Sequence, residues 1–123
     1  MDLQTGVVSV YVKDGDYIPR VARVLELARH AGMRVVHVKV GFRPRAAPFN
    51  DIDTLVLLGI ATSGVVLSTF LQAFDADYRL VVIKDCCADT DADLHACLID
   101  KFFPRISSVI TAGEFQDALA TSA

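Results

Sequence analysis

The run Asp53-Thr54-Leu55-Val56-Leu57-Leu58-Gly59-Ile60-Ala61-Thr62-Ser63-Gly64-Val65-Val66-Leu67-Ser68-Thr69 changes character twice. Thr54 to Leu58 is apolar without alternation, as expected of a strand buried on both faces. Gly59 interrupts it. Thr62 and Ser63 are N-cap residue types, and a helical pattern begins directly after them. The unit is therefore strand, tight turn, helix. In an open parallel sheet, ligands and catalytic groups gather at the turn that follows a strand's carboxyl end. This turn is expected to form part of any site the chain possesses.

Working outward, strands and helices alternate. Val7 to Val12 is rich in β-branched residues and lies between Gly6 and a Lys-Asp-Gly-Asp turn, which predicts a first strand. Ile18, Val21, Ala22, Leu25 and Ala28 recur at helical spacing, and Gly32 stands where a C-terminal cap belongs. Arg34 to Val40 is expected to form a second strand. Gly41 to Asp53 has two prolines and no helical period, so it reads as a loop. Its thirteen residues could span about 43 Å, enough to return along a strand of about 20 Å, but without the usual helical crossover. Beyond the central unit, Ser63 to Phe74 is apolar around most of its circumference and predicts a deeply buried helix. Arg79 to Lys84 predicts a strand, and 85–89 a loop. Thr90 with Asp93 resembles a capping box opening a helix that Pro104 closes. Ser107 to Ile110 predicts a last strand. Thr111 and Glu114 form a second capping box, ahead of a final helix.

This alternation implies an α/β fold: a three-layer α/β/α sandwich around a mostly parallel, Rossmann-like sheet of about four to five strands. At 123 residues the chain is expected to form one domain, 1–123. Hydrophobic residues make up 53%, too many for a disordered chain. The net charge of −3 gives no footprint for nucleic acid or a membrane surface. No apolar run reaches the roughly 20 residues of a membrane span, and the first residues lack the pattern of a signal peptide. Three cysteines, two of them adjacent, make a poor disulfide framework and fit a reducing, cytoplasmic setting. No metal-ligand spacing and no dinucleotide-binding glycine pattern is present, so neither a metal nor a cofactor is expected.

Gly59-Ile60-Ala61-Thr62-Ser63-Gly64-Val65-Val66-Leu67-Ser68-Thr69 resembles the central motif of the isochorismatase-like cysteine hydrolases: Gly, apolar, Ala, Thr, polar, any, Cys, Val, with Thr near the next turn. The likeness continues through Ala73 to Val82, Asp85-Cys86-Cys87-Ala88-Asp89 and His95. Asp2-Leu3-Gln4 is similar to the Asp motif at the end of the family's first strand, and Gly32 to Arg43 to its second strand and following loop. The resemblance implies hydrolysis of a C–N amide, carbamoyl or vinyl-ether bond in a small molecule by a Cys nucleophile, an Asp base and a Lys. A thiol at a helix N-terminus beside a cation is activated for such attack, and backbone N–H groups in the turn stabilise the oxyanion. The resemblance also implies a cis peptide at Ile60-Ala61 and a pocket wall at Thr62.

Three departures qualify that implication. Val65 occupies the position of the nucleophile and has no lone pair to attack with. The Lys-bearing segment is replaced by Arg43 to Asn50, and neither Lys39 nor Lys84 matches the motif. The strand that should carry Asp2 is absent, which opens a slot in the sheet. Val7 to Val12 could fill that slot, a partner chain could, or the flanking strands could pair directly. The first is preferred, and it places Asp2 at the far end of the sheet. The expected site is thus Asp2 as base, Val65 at the vacated nucleophile position, and Ile60, Ala61, Thr62, Ser63 and Gly64 as the substrate and oxyanion turn. Val65 itself reads as core, Cys86 and Cys87 as small buried hydrophobes, and His37 as a structural strand residue. His95 is expected to play a surface or capping role, and Arg43 and Arg45 to be solvated. The leading expectation is a shortened hydrolase homologue with little or no activity. The alternative is a non-catalytic binding or assembly module on the same fold. Sheet edges left open favour a homodimer or higher homo-oligomer.

Overall fold

A computed structural model describes residues 1, 3–38 and 52–122. The described elements run α1 (Thr5–Tyr11), α2 (Tyr17–His30), β1 (Thr54–Ile60), α3 (Leu67–Asp75), β2 (Arg79–Ala88), α4 (Ala92–Cys97), β3 (Ser108–Ile110) and α5 (Ala112–Ser122). The three strands pair in the order β1-β2-β3, all parallel. Two apolar layers follow from the strand alternation. Leu57, Leu80 and Val82 face Phe70 and Ala73 of α3 and the segment after α4, where Phe103 stacks against Phe70 with ring centroids 4.5 Å apart. Ile60, Ile83 and Cys86 face Val21 and Val24 of α2 and Phe115 of α5. The three-layer sandwich expected from the alternation is therefore present, with three strands among the described residues rather than four or five.

Several local expectations are corrected. Val7 to Val12 is not a strand. Residues 5–11 form α1, with Val7, Val8, Tyr11 and Val12 packed on the α2 side of the sheet. Those positions are neighbours on a helix face, and burying that face outweighs the β-propensity of the valines. The slot beside β1 is met instead by Met1. Its backbone nitrogen donates to Leu58 O at 2.8 Å, and its carbonyl accepts from Ile60 N at 3.0 Å. Residues 34–38 form no strand, and His37 is exposed rather than alternating into a sheet. The rest of that expected strand, the 41–53 loop up to residue 51, and Arg43 and Arg45 lie outside the described residues.

β2 continues to Ala88 where a loop after Lys84 was expected. After an irregularity between Leu57 and Gly59, the register resumes as Gly59 opposite Cys87 and Ile60 opposite Ala88. The helix after the turn buries only Phe70 and Ala73 fully, leaving Leu71 and Phe74 at 41% and 44% exposure. α4 is capped by Asp91, whose Oδ1 accepts from Leu94 N at 2.9 Å, and not by Thr90. The chain then passes through an irregular wide turn, Leu98–Phe102, and a tight one, Phe103–Arg105. The capping box at α5 forms as expected: Glu114 N donates to Thr111 Oγ1, and Thr111 N donates to Glu114 Oε2. Gly32 also caps as expected. With φ +73° it lets Gly32 N reach Arg29 O and Met33 N reach Ala28 O, closing α2 in a Schellman motif.

Candidate functional site

β1 ends at Ile60, and the Ile60-Ala61 peptide is cis. The chain then makes a wide helical turn over Thr62–Val66 before α3 begins. Ala61 O closes this turn by accepting from Gly64 N at 3.1 Å and from Val66 N at 3.2 Å. Gly64, at φ −102° and ψ −110°, lies off the helical path and lets the turn open wide. The first N–H groups of any helix lack intrahelical partners. Ser63 N finds one in Asp89 Oδ2 at 2.7 Å, and Ser63 Oγ donates to the same oxygen at 2.6 Å. An aspartate beyond β2, rather than Thr62 or Ser63, therefore caps the turn.

Thr62 is fully buried, and its hydroxyl reaches His95 Nδ1 of α4 at 2.8 Å. The turn is tied in this way to the two segments after β2: Ser63 to Asp89, and Thr62 to His95. Burial of Asp89 raises its pKa, but the hydrogen bonds from Ser63 Oγ, Ser63 N and the N–H groups of Asp91 and Thr90 outweigh it. The carboxyl sits below its usual range. Val65 is half-buried on the first turn, and the fully buried core position is its neighbour Val66. The amide of Val65 has no hydrogen bond to a described residue outside the turn.

Two of the three cysteines, Cys86 and Cys87, are inert by environment. Cys87 is buried opposite Gly59, and desolvation pushes its thiol up to about 12. Burial, with the Asp85 carboxylate beside it, does the same for Cys86. Tyr17 OH, from α2, donates to Cys86 O at 2.9 Å. Lys84 is exposed.

Of the residues expected at the site, Ile60, Ala61, Thr62, Ser63, Gly64 and Val65 form one continuous turn at the carboxyl end of β1. Asp2 lies outside the described residues. Met1 beside it is bonded to Leu58 and Ile60, at the same end of β1 as the turn, so the slot arrangement that sent this segment to the far end is overturned. Asp89 was missed by sequence reasoning because its spacing to the next helix looks like ordinary capping chemistry. Lys13 was missed because it follows what read as a strand. A groove of about 380 Å³ separates the end of α1 from the segment after β2, and Lys13 and Asp89 both line it.

The isochorismatase domain model matches residues 49–114, which include the turn, β2, α4 and β3. The chain is 38% identical over 68 residues to the isochorismatase family protein YecD of Escherichia coli O157:H7, covering 55% of this chain and 36% of that protein. It is 29% identical over 68 residues to a maleamate amidohydrolase of Pseudomonas putida, covering 55% and 30%. The matched stretch thus spans about a third of these relatives. An isochorismatase family protein from Burkholderia thailandensis shares the fold, with a TM-score of 0.77 at 21% identity over 97% of this chain and 92% of that one. Among the described residues, no helix is long and apolar enough to cross a membrane.

Proposed function

The chain belongs to the isochorismatase family, and from that premise we propose that it binds a small carbonyl compound at the 60–65 turn and hydrolyses it slowly or not at all. One observation supports the reading: Ser63 and Thr62 of the turn are tied to Asp89 and His95, while the residue that the resemblance puts at the nucleophile position is Val65. A valine forms no acyl intermediate. The two nearby hydroxyls are poor substitutes. Thr62 is enclosed, and Ser63 donates to a carboxylate whose lowered pKa makes it a weak base. The Val65 amide, which has no hydrogen bond to a described residue outside the turn, is the donor suited to a carbonyl oxygen. Any hydrolysis would fall to water activated by Asp2. The substrate class is a C–N amide or carbamoyl compound, and the maleamate amidohydrolase among the relatives favours an amide.

Ammonia release from nicotinamide, an N-carbamoyl amino acid and maleamate tests this reading. Ordinary enzymes turn over at about 10 s⁻¹. The expected rate here is at least about a thousandfold lower, and ordinary turnover by the wild-type chain would overturn the proposal. Slow turnover lost in Asp2→Ala would instead dismiss the second reading, a non-catalytic assembly module. That reading draws on the exposed Leu71 and Phe74 of α3, which suit a homodimer contact. A monomeric mass by light scattering at high protein concentration would refute it.

A further inference from the structure

Two donors at the entry of the turn, Ser63 N and Ser63 Oγ, are both taken by one carboxylate oxygen, Asp89 Oδ2, at 2.7 and 2.6 Å. Oδ1 of the same group accepts from Asp91 N at 3.2 Å. Each of these bonds favours the ionised carboxyl. Asp89 is half-buried, so its charge acts at short range on whatever occupies the turn. Resting on the binding function proposed above, we propose that Asp89 sets the charge specificity of the turn: it admits a neutral carbonyl and turns away the matching carboxylate.

The donors of the turn support this assignment. Ser63 N is committed to Asp89, and Gly64 N and Val66 N to Ala61 O. The donor left to a ligand is the Val65 amide, which has no hydrogen bond to a described residue outside the turn. One N–H satisfies the oxygen of a neutral carbonyl. A carboxylate brings a second oxygen and a full charge, and it must replace its hydration with donors or a cation. At this turn it meets the Asp89 charge instead, and two like charges several ångströms apart at a half-buried position weaken binding about tenfold. Lys13, which shares a groove with Asp89, is exposed, and solvent screens its charge. The Met1 nitrogen is committed to Leu58 O, and His95 Nδ1 to the Thr62 hydroxyl. Asp91 and Asp93, at the start of α4, carry the same sign as Asp89. Hydrolysis of an amide by water turns the neutral carbonyl into a carboxylate and releases ammonium. The same charge therefore disfavours the acid that a slow reaction would leave at the turn.

Nicotinamide and nicotinate, matched in shape and different in charge, are the probes. Each is titrated at pH 8 into isotope-labelled protein, and binding is read from the backbone amide shifts of Ser63 to Val66. The wild type is expected to bind nicotinamide about tenfold more tightly at low salt. Raising sodium chloride from about 0.02 M to about 0.5 M should shrink that preference by at least about twofold, by tightening nicotinate. Asp89→Asn keeps an acceptor for Ser63 and removes the charge, so it should bring the two affinities within about twofold of each other. The salt titration uses the wild-type chain and reads the charge without a substitution. Equal affinities in the wild type, a preference indifferent to salt, or a preference that Asp89→Asn leaves unchanged would overturn the proposal. If nicotinamide shifts the turn but no charge preference is found, the assignment of Asp89 fails while the binding function stands. If neither probe moves residues 60–66, both fail.

Discussion

Replacing Gly59 by alanine tests how the sheet edge beside the turn is built. Gly59 has φ +127°, and a Cβ there would lie 2.2 Å from Met1 O and 2.3 Å from Met1 N. Ordinary contact begins near 3.4 Å, so the Met1 backbone must move by more than about 1 Å. Both Met1 hydrogen bonds then break, and the Ile60 amide is left without its partner in a fully buried residue. An unsatisfied buried donor costs about 1–3 kcal/mol and the lost bond to Leu58 about 1. A side chain at this φ adds about 1–3 kcal/mol. The total is roughly 3–7 kcal/mol, a large part of the stability of a domain this size. Gly32 is the control: φ is +73°, but nothing lies within 4 Å of its Cβ position, so Gly32→Ala carries only the backbone penalty of about 1–2 kcal/mol. At about 4 °C per kcal/mol, the melting temperature should fall by about 12–28 °C in Gly59→Ala and about 4–8 °C in Gly32→Ala. Urea unfolding followed by circular dichroism measures both, and hydrogen exchange reports on Ile60 directly. Equal losses in the two variants, or unchanged protection of the Ile60 amide in Gly59→Ala, would refute the reasoning.

His95→Ala leaves the buried Thr62 hydroxyl without its partner and should cost about 1–3 kcal/mol in urea unfolding. Adding Thr62→Val should recover most of that loss, and strict additivity of the two changes would show the contact contributes nothing. Asp89→Asn should cost about 1.5–3 kcal/mol at pH 7, because Ser63 donates to the charged carboxylate. The folded pKa of Asp89 is lowered, so its contribution is full above the unfolded value of about 4 and is lost as pH falls through the folded value. The wild-type urea midpoint should therefore drop more steeply between about pH 5 and 3 than that of Asp89→Asn, and parallel curves would contradict the assignment. Cys97 is exposed, whereas the Cys86 and Cys87 thiols are buried and pushed up to about 12. Disulfide-exchange labelling at pH 8 should modify one thiol rapidly and the other two only after urea is added.

The layers and the order of most elements were legible because burial on a sheet face or helix stripe imposes a period on the sequence. β1, α2, β3 and the capping box of α5 follow from such patterns. The error at Val7 to Val12 has a physical source. Valines favour strands on average, but the pairs Val7, Val8 and Tyr11, Val12 also share one helix face, and only the available packing surface decides between the two. The extension of β2 through Asp85 to Ala88 was hidden for a related reason. Its partners, Gly59 and Ile60, lie beyond the glycine that marks the end of the apolar run. At the site, the turn was legible as an interruption followed by helix-capping residue types. The identity of its anchors was not. Asp89 and His95 meet Ser63 and Thr62 across 26 and 33 residues of chain, and no local period encodes such contacts.

The anchors explain how the turn keeps its shape without a nucleophile. Ser63 is bound by Asp89, Thr62 by His95, Gly64 and Val66 by Ala61 O, and the strand leading in by Met1. These ties reach the start of the chain, the segment after β2 and α4. None of them passes through the side chain of Val65, which is only half-buried. The backbone geometry of the turn is thus fixed by groups other than the one that would perform the chemistry. A valine where the resemblance puts a cysteine supplies no attacking atom and leaves every one of these supports intact. The binding proposed at this turn and any bond cleavage there would therefore draw on different groups.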